Sequence, residues 1–153
     1  MKQFQFRLQK VMETTMTREE VQKRELAEAF GRLRRCEEEL EAMLERLEQQ
    51  IAEFESAADQ ARSVRVSELM NYSGWTEVLA GEIRSQRVRI EKQNEEVRVH
   101  RERLLEITRD KKVLEKLKDK KYAEFKKKLR NMEQKFLDEL SVRSFHNGNG
   151  IMQ

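Results

Sequence analysis

Leu26, Leu33, Leu40, Leu47, Phe54 and Ala61 stand seven residues apart, in a 153-residue chain without a single proline. A seven-residue apolar repeat holds one side of an α-helix against a partner helix, turn after turn. Phe30, Leu44, Ile51 and Ala58 fill the three-and-four spacing between the sevens, and only Glu37 interrupts it. The other faces are charged. Upstream, Phe4, Leu8, Val11, Met12 and Met16 continue an apolar stripe less regularly. This pattern predicts a long coiled-coil helix over about residues 4–61.

A second seam follows: Leu79, Ile83, Gln86, Ile90, Gln93, Val97, His100, Leu104, Ile107, Lys111 and Leu114. One extra four-residue step through Lys118 then leads to Tyr122, Phe125, Leu129, Met132, Phe136 and Leu140. Such a stutter locally relaxes a supercoil. Gln86, Gln93 and His100 are polar seam positions, which favour one register and lower stability.

The two seams must meet at a reversal. Asn71-Tyr72-Ser73-Gly74 has turn composition, yet Tyr72 and Leu69 lie in phase with the second seam, whereas the first seam ends at Ala61. Phase therefore puts the break within about 62–68, with Ser63 or Ser67 as the helix N-cap. Helix two then runs over about 69–143. Gly74 and Gly81 fall inside it, each costing about 1 kcal/mol relative to alanine. A reversal at 71–74 is the rival reading.

Antiparallel partners then have numbers that total about 130, with Phe4 opposite residue 126, and helix two overhangs helix one by roughly 17 residues. The predicted fold is all-α, a long antiparallel two-helix coiled-coil hairpin with the second helix overhanging the first. The overhang bears Leu129, Met132, Phe136 and Leu140 without an intrachain partner. A face of this kind binds something, or else self-associates or packs on the N-terminal residues. Residues 144–153, with Asn and Gly, read as a frayed, disordered tail.

Composition agrees with thin seams. Charged residues make up 40% of the chain and aromatics 7%, with a mean hydropathy of −0.92. Periodic apolar residues argue against disorder, and so few aromatics argue against a compact globule. Residues 1–61 carry 10 Lys/Arg and 14 Asp/Glu, whereas 62–153 carry 22 and 15. The excess of base lies in 109–130, with 11 basic and 4 acidic residues.

Nothing in the sequence points to catalysis. The glycines are isolated, so no phosphate loop is formed. Neither the two histidines, His100 and His146, nor the single Cys36 has ligand partners at metal-binding spacing. No catalytic residue, metal or cofactor is expected. Cys36 cannot form an intrachain disulfide. No signal-peptide core opens the sequence, and no window approaches the roughly 18 apolar residues of a membrane span. The expectation is a soluble cytoplasmic protein, in which the glycosylation-like Asn71-Tyr72-Ser73 is accidental. The runs Lys111-Lys112, Lys120-Lys121 and Lys126-Lys127-Lys128 invite comparison with basic-region zippers. A chain that folds back on itself lacks the parallel zipper, and lysine runs carry no base-reading geometry. Specific nucleic-acid binding is not expected. A solvated face or an acidic protein partner fits better, with weak nonspecific nucleic-acid binding as an alternative.

Four stretches resemble the flagellar FliJ family. Phe4-Gln5-Phe6-Arg7-Leu8-Gln9-Lys10-Val11 is similar to its F-x-F-R-L-Q-x-V opening, and Leu114 to Lys121 to its L-E-x-L-K-x-K-K stretch. Glu133-Gln134-Lys135 with Asp138-Glu139 resembles its E-Q-K-x-x-D-E close. Asn71-Tyr72, Trp75, Leu79, Ile83 and Gln86 resemble its central N-Y-x-x-aromatic-x-x-x-L-x-x-x-I-x-x-Q pattern.

The resemblance implies a cytoplasmic component of the flagellar type III export apparatus, peripheral to the inner-membrane machinery. It implies a stalk similar to the two-helix stalk of the rotary ATP synthase, inserted in the ring of the export ATPase FliI. It also implies contact with the cytoplasmic domain of the export gate FlhA, and a general chaperone role toward export chaperones or substrates. Carried onto this chain, the ring contact falls on Leu129, Met132, Glu133, Phe136, Asp138 and Leu140. The gate contact falls on Tyr72, Trp75, Leu79 and Gln86. The stalk reading expects a monomer; a purely structural coiled coil would self-associate through the overhang.

Overall fold

The computed structural model describes residues 2–61 and 63–148. Two α-helices account for nearly all of them: α1, Gln9–Ala61, and α2, Val66–Gly148. No strand occurs among the described residues. The fold is an all-α helical hairpin, its two long helices packed against each other.

The chain forms two compact units. Glu19–Glu106 makes one, here the central unit. Residues up to Arg18 and from Ile107 onward make the other, here the terminal unit.

In the central unit, Phe54 meets Tyr72, Arg32 meets Glu96, and Gln22 meets His100. Numbers fall along α1 as they rise along α2, so the helices are antiparallel. These pairs total 126, 128 and 122, somewhat below the expected 130. The shift follows from where the helices stop and start, α1 ending at Ala61 and α2 beginning at Val66. Met70–Trp75 lie within α2. Neither predicted serine caps α2. The Arg65 carbonyl accepts the first helical bond, from Leu69 N–H at 3.1 Å, which makes Arg65 the N-cap residue and puts Ser67 inside the first turn.

Few apolar side chains are buried among the described residues: Ala29, Leu33 and Val97 form a cluster with Leu26 and Ile90 against it, and Leu79 and Ile83 are buried nearer the start of α2. The sevens Leu26, Leu33, Leu40, Leu47 and Phe54 all turn inward. The residues between them differ from expectation in the first half of α1. Ala29, Cys36 and Met43 occupy the seam, not Phe30 and Glu37. Alanine and cysteine let the helices approach closely. Phe30, about 100° further around the helix, lies at the flank beneath the Arg101 guanidinium, 5.0 Å from its ring centre. Beyond Met43 the seam steps by four residues twice, to Leu47 and to Ile51, so α1 carries a stutter of its own. In α2 the buried and half-buried positions follow the expected series from Leu79 through Leu114 to Lys118; Tyr122, expected next, is exposed, and Phe125 is half-buried.

In the terminal unit, helix one begins later than expected. Residues 2–6 have no regular structure and Arg7–Leu8 form a turn. Phe4, Phe6 and Leu8 are half-buried while Gln3, Gln5 and Arg7 are exposed. That period of two belongs to an extended strand-like arm, not a helix. Helical bonding starts where Met12 N–H donates to the Leu8 carbonyl at 2.9 Å. At the other end, α2 does not stop near 143: residues 144–148 are helical. Ser141 and Ser144 turn their hydroxyls back to the carbonyls of Leu137 and Ser141, both at 2.9 Å, which satisfies them without leaving the helix. The remainder of the predicted tail, 149–153, lies outside the described residues.

Candidate functional site

The terminal unit offers the first candidate surface. From Lys126 to Gly148 every residue of α2 is exposed. Leu129, Met132, Phe136 and Leu140 recur at three- and four-residue steps, which places them in one stripe about 100° wide. Phe136 keeps 61% of its surface open. Glu133 and Asp138 are exposed on the same turns, and Asp138 accepts a hydrogen bond from the Gln134 amide at 3.2 Å. All six residues expected at a ring contact thus stand on one accessible stretch of helix, the apolar ones aligned. Leu137, Val142 and Phe145 add exposed apolar surface beside the stripe.

The stripe begins where the N-terminal arm is anchored. The Phe4 ring packs edge-on against Tyr122, centroids 5.2 Å apart, and at a tilt against Phe125, 5.6 Å away. Lys126 caps the Tyr122 ring with its ammonium 4.6 Å from the centre. The terminal unit carries 17 Lys/Arg against 8 Asp/Glu, a net +9. The central unit carries 15 against 21, a net −6.

The central unit offers the second candidate, at the start of α2. Here the four expected gate residues separate. Leu79 and Gln86, 3% and 2% exposed, face α1 and are inaccessible while the helices are packed. The Gln86 amide nitrogen donates to the Cys36 carbonyl at 2.9 Å and to Glu39 Oε2 at 3.0 Å. Tyr72 is half-buried, its ring stacked on Phe54. Trp75 is half-buried and lies at the edge of the packed face. Outward from it, Val66, Met70 and Val78 are exposed apolar residues that heptad phase did not single out. Their four-residue spacing through Gly74 was the available signal.

His100, expected to be a polar seam position, is half-buried with Nδ1 2.9 Å from the Gln22 amide nitrogen. Among the described residues no cluster of His, Cys, Asp or Glu could hold a metal. No helix of the described residues is long and apolar enough to cross a membrane.

Residues 4–150 match the family model described as flagellar FliJ protein. No curated protein and no solved structure matches the chain.

Proposed function

Because the chain belongs to the FliJ family, it is a component of flagellar export, and we propose that it acts there as a stalk between the export ATPase and the export gate. The overhanging end of α2 enters the ring of FliI, with Leu129, Met132, Phe136 and Leu140 as its apolar contact and Glu133 and Asp138 beside them. The start of α2 meets the cytoplasmic domain of FlhA. There Trp75 and the neighbouring Val78 make the contact, Tyr72 braces the turn, and Leu79 and Gln86 hold the helix that presents them. The protein is not itself an enzyme in this reading. It works as a monomer in the cytoplasm, at the membrane-embedded machinery, and also shields export chaperones or substrates.

The observation that carries the reading is the accessible stripe from Leu129 to Leu140 on a helix already packed elsewhere along its length. An apolar stripe of this size on a strongly charged chain is stabilised by burial against another protein.

The test is ATP hydrolysis and ring assembly by the cognate FliI, measured with the intact protein and with Phe136→Asp. The intact protein stimulates; the variant, altered only at an exposed site, keeps its far-UV helicity and loses the effect. Equal stimulation by both would remove the stripe from the mechanism. Trp75→Ala should weaken capture of the FlhA cytoplasmic domain and leave stimulation of the ATPase unchanged.

A further inference from the structure

Between the N-terminal arm and α2 the terminal unit encloses a groove of about 770 Å³. Its floor is apolar: Phe4, Phe6 and Leu8 from the arm, Leu117 and Phe125 from α2. Its rims are cationic on both sides, with Lys2 and Arg7 on the arm, and Lys121 and Lys128 on α2. The one carboxylate in the lining, Glu124, is half-buried and lies 3.3 Å from the Lys121 ammonium. The α2 wall runs from Leu117 to Lys128, about 16 Å of helix or three turns.

We propose that this groove is the docking site for an acidic amphipathic helix of a partner protein, about three turns long. Three features of the groove select that occupant. An apolar floor three turns long accepts the i, i+3, i+4, i+7 side chains of a helix lying lengthwise. Positive charge on both walls matches a ligand with acidic residues on both flanks of its apolar stripe. The net +9 of the unit draws an anionic segment in and is relieved by it. An anionic membrane fits less well, because a bilayer receives a protruding apolar face, whereas here the apolar residues lie at the bottom of a concavity. The groove precedes the Leu129–Leu140 stripe along α2, so this inference stands apart from the ring contact.

The test uses the full-length protein and a fluorescent helical peptide with leucines at i, i+3, i+4 and i+7 and glutamates on both flanks, read by anisotropy. A peptide with lysine for glutamate is the comparison. Arg7→Glu/Lys128→Glu reverses one charge on each wall. Lys112→Glu/Lys135→Glu makes the same change in net charge at exposed positions of α2 outside the groove. The acidic peptide should bind saturably and lose about tenfold in affinity with the groove variant. With the other variant it should lose less than about threefold, and Phe4→Ala should weaken it as well. Far-UV spectra of all variants should match the parent. Equal losses from the two double variants would overturn the proposal in favour of diffuse electrostatics. So would comparable binding of the lysine peptide, or uptake on phosphatidylglycerol vesicles without peptide binding.

Discussion

The Tyr72 ring lies flat on Phe54, with centroids 3.9 Å apart and 11° between the planes. It ties the first turns of α2 to the last turns of α1 at the reversal. Stacked pairs contribute about 0.5–1.5 kcal/mol beyond the area they bury. Tyr72→Ala should therefore lower stability to urea by about 1–2 kcal/mol. It should also speed amide exchange in the first turns of α2 more than in the middle of that helix. Tyr72→Phe should leave both nearly unchanged. Uniform exchange along α2 in the alanine variant would deny the stack this local role.

Gly74 and Gly81 weaken the same stretch. A Cβ at Gly74 would meet nothing within 4 Å, and one at Gly81 would meet only the Arg84 side chain at 3.8 Å. Neither glycine is required by packing within the chain. Alanine at each position should add up to about 1 kcal/mol by removing backbone freedom from the unfolded state. Gly74→Ala/Gly81→Ala should raise the thermal midpoint and slow amide exchange through 70–81. Any loss of stability would mean that the backbone there is under a constraint the helix does not reveal.

The core makes a contrast between two positions three residues apart. Leu33→Ala, in the buried cluster, should cost about 2–4 kcal/mol. Phe30→Ala, at the flank under Arg101, should cost no more than about 1 kcal/mol. A sequence reading that places Phe30 in the seam reverses that order, so urea titration of the two variants decides between the registers.

That contrast shows what periodicity can and cannot reveal. Leucines in sevens identify a helix face unambiguously, and α2, whose seam mixes apolar residues with Gln86, Gln93 and His100, kept its phase because Leu79, Ile83 and Val97 anchor it. In α1 the apolar pattern favours the large residue, but the close approach is made by Ala29 and Cys36, whose small side chains stand out little in it. The arm was hidden for a related reason: Phe4, Phe6 and Leu8 suit an amphipathic helix loosely and an extended chain strictly. The stripe at Leu129–Leu140 was legible because its apolar residues keep three- and four-residue steps among charged neighbours. The start of α2 was legible as a place but not by side: spacing groups Trp75, Leu79 and Gln86 together, and only packing shows that two of them face α1.

Arg98 bonds both Glu95 and Glu102 along α2. Its guanidinium holds the Glu95 carboxyl below the usual carboxylate range, chiefly through their hydrogen bond. A carboxylate with a lowered folded-state pKa supports the helix above its ordinary pKa and loses that support as pH falls through the lowered one. The pairs are exposed, so the effect is small and salt-sensitive. Arg98→Gln should flatten the acid limb of the stability profile slightly at low ionic strength, and the difference should vanish in high salt. A difference that persists in high salt would point to packing by Arg98, not charge.

Phe4 is the residue on which the N-terminal arm depends. Its ring fills the angle between Tyr122 and Phe125, while the arm around it has no helical or sheet bonding. An extended segment without regular hydrogen bonds is retained only by such side-chain anchors, so truncating the ring should release it. Trypsin can cut after Lys2, Arg7 and Lys10. In Phe4→Ala, cleavage after Arg7 should accelerate by roughly an order of magnitude, the change expected when an aromatic contact of about 1.4 kcal/mol is lost from a segment that opens before it is cut. Helicity should hardly change, because α1 begins only at Gln9. Tyr122→Leu/Phe125→Leu, which removes the aromatic partners from the other side, should reproduce the faster cleavage. If Phe4→Ala is cut no faster than the parent, the arm is held by its backbone turn at Arg7–Leu8 and not by the ring.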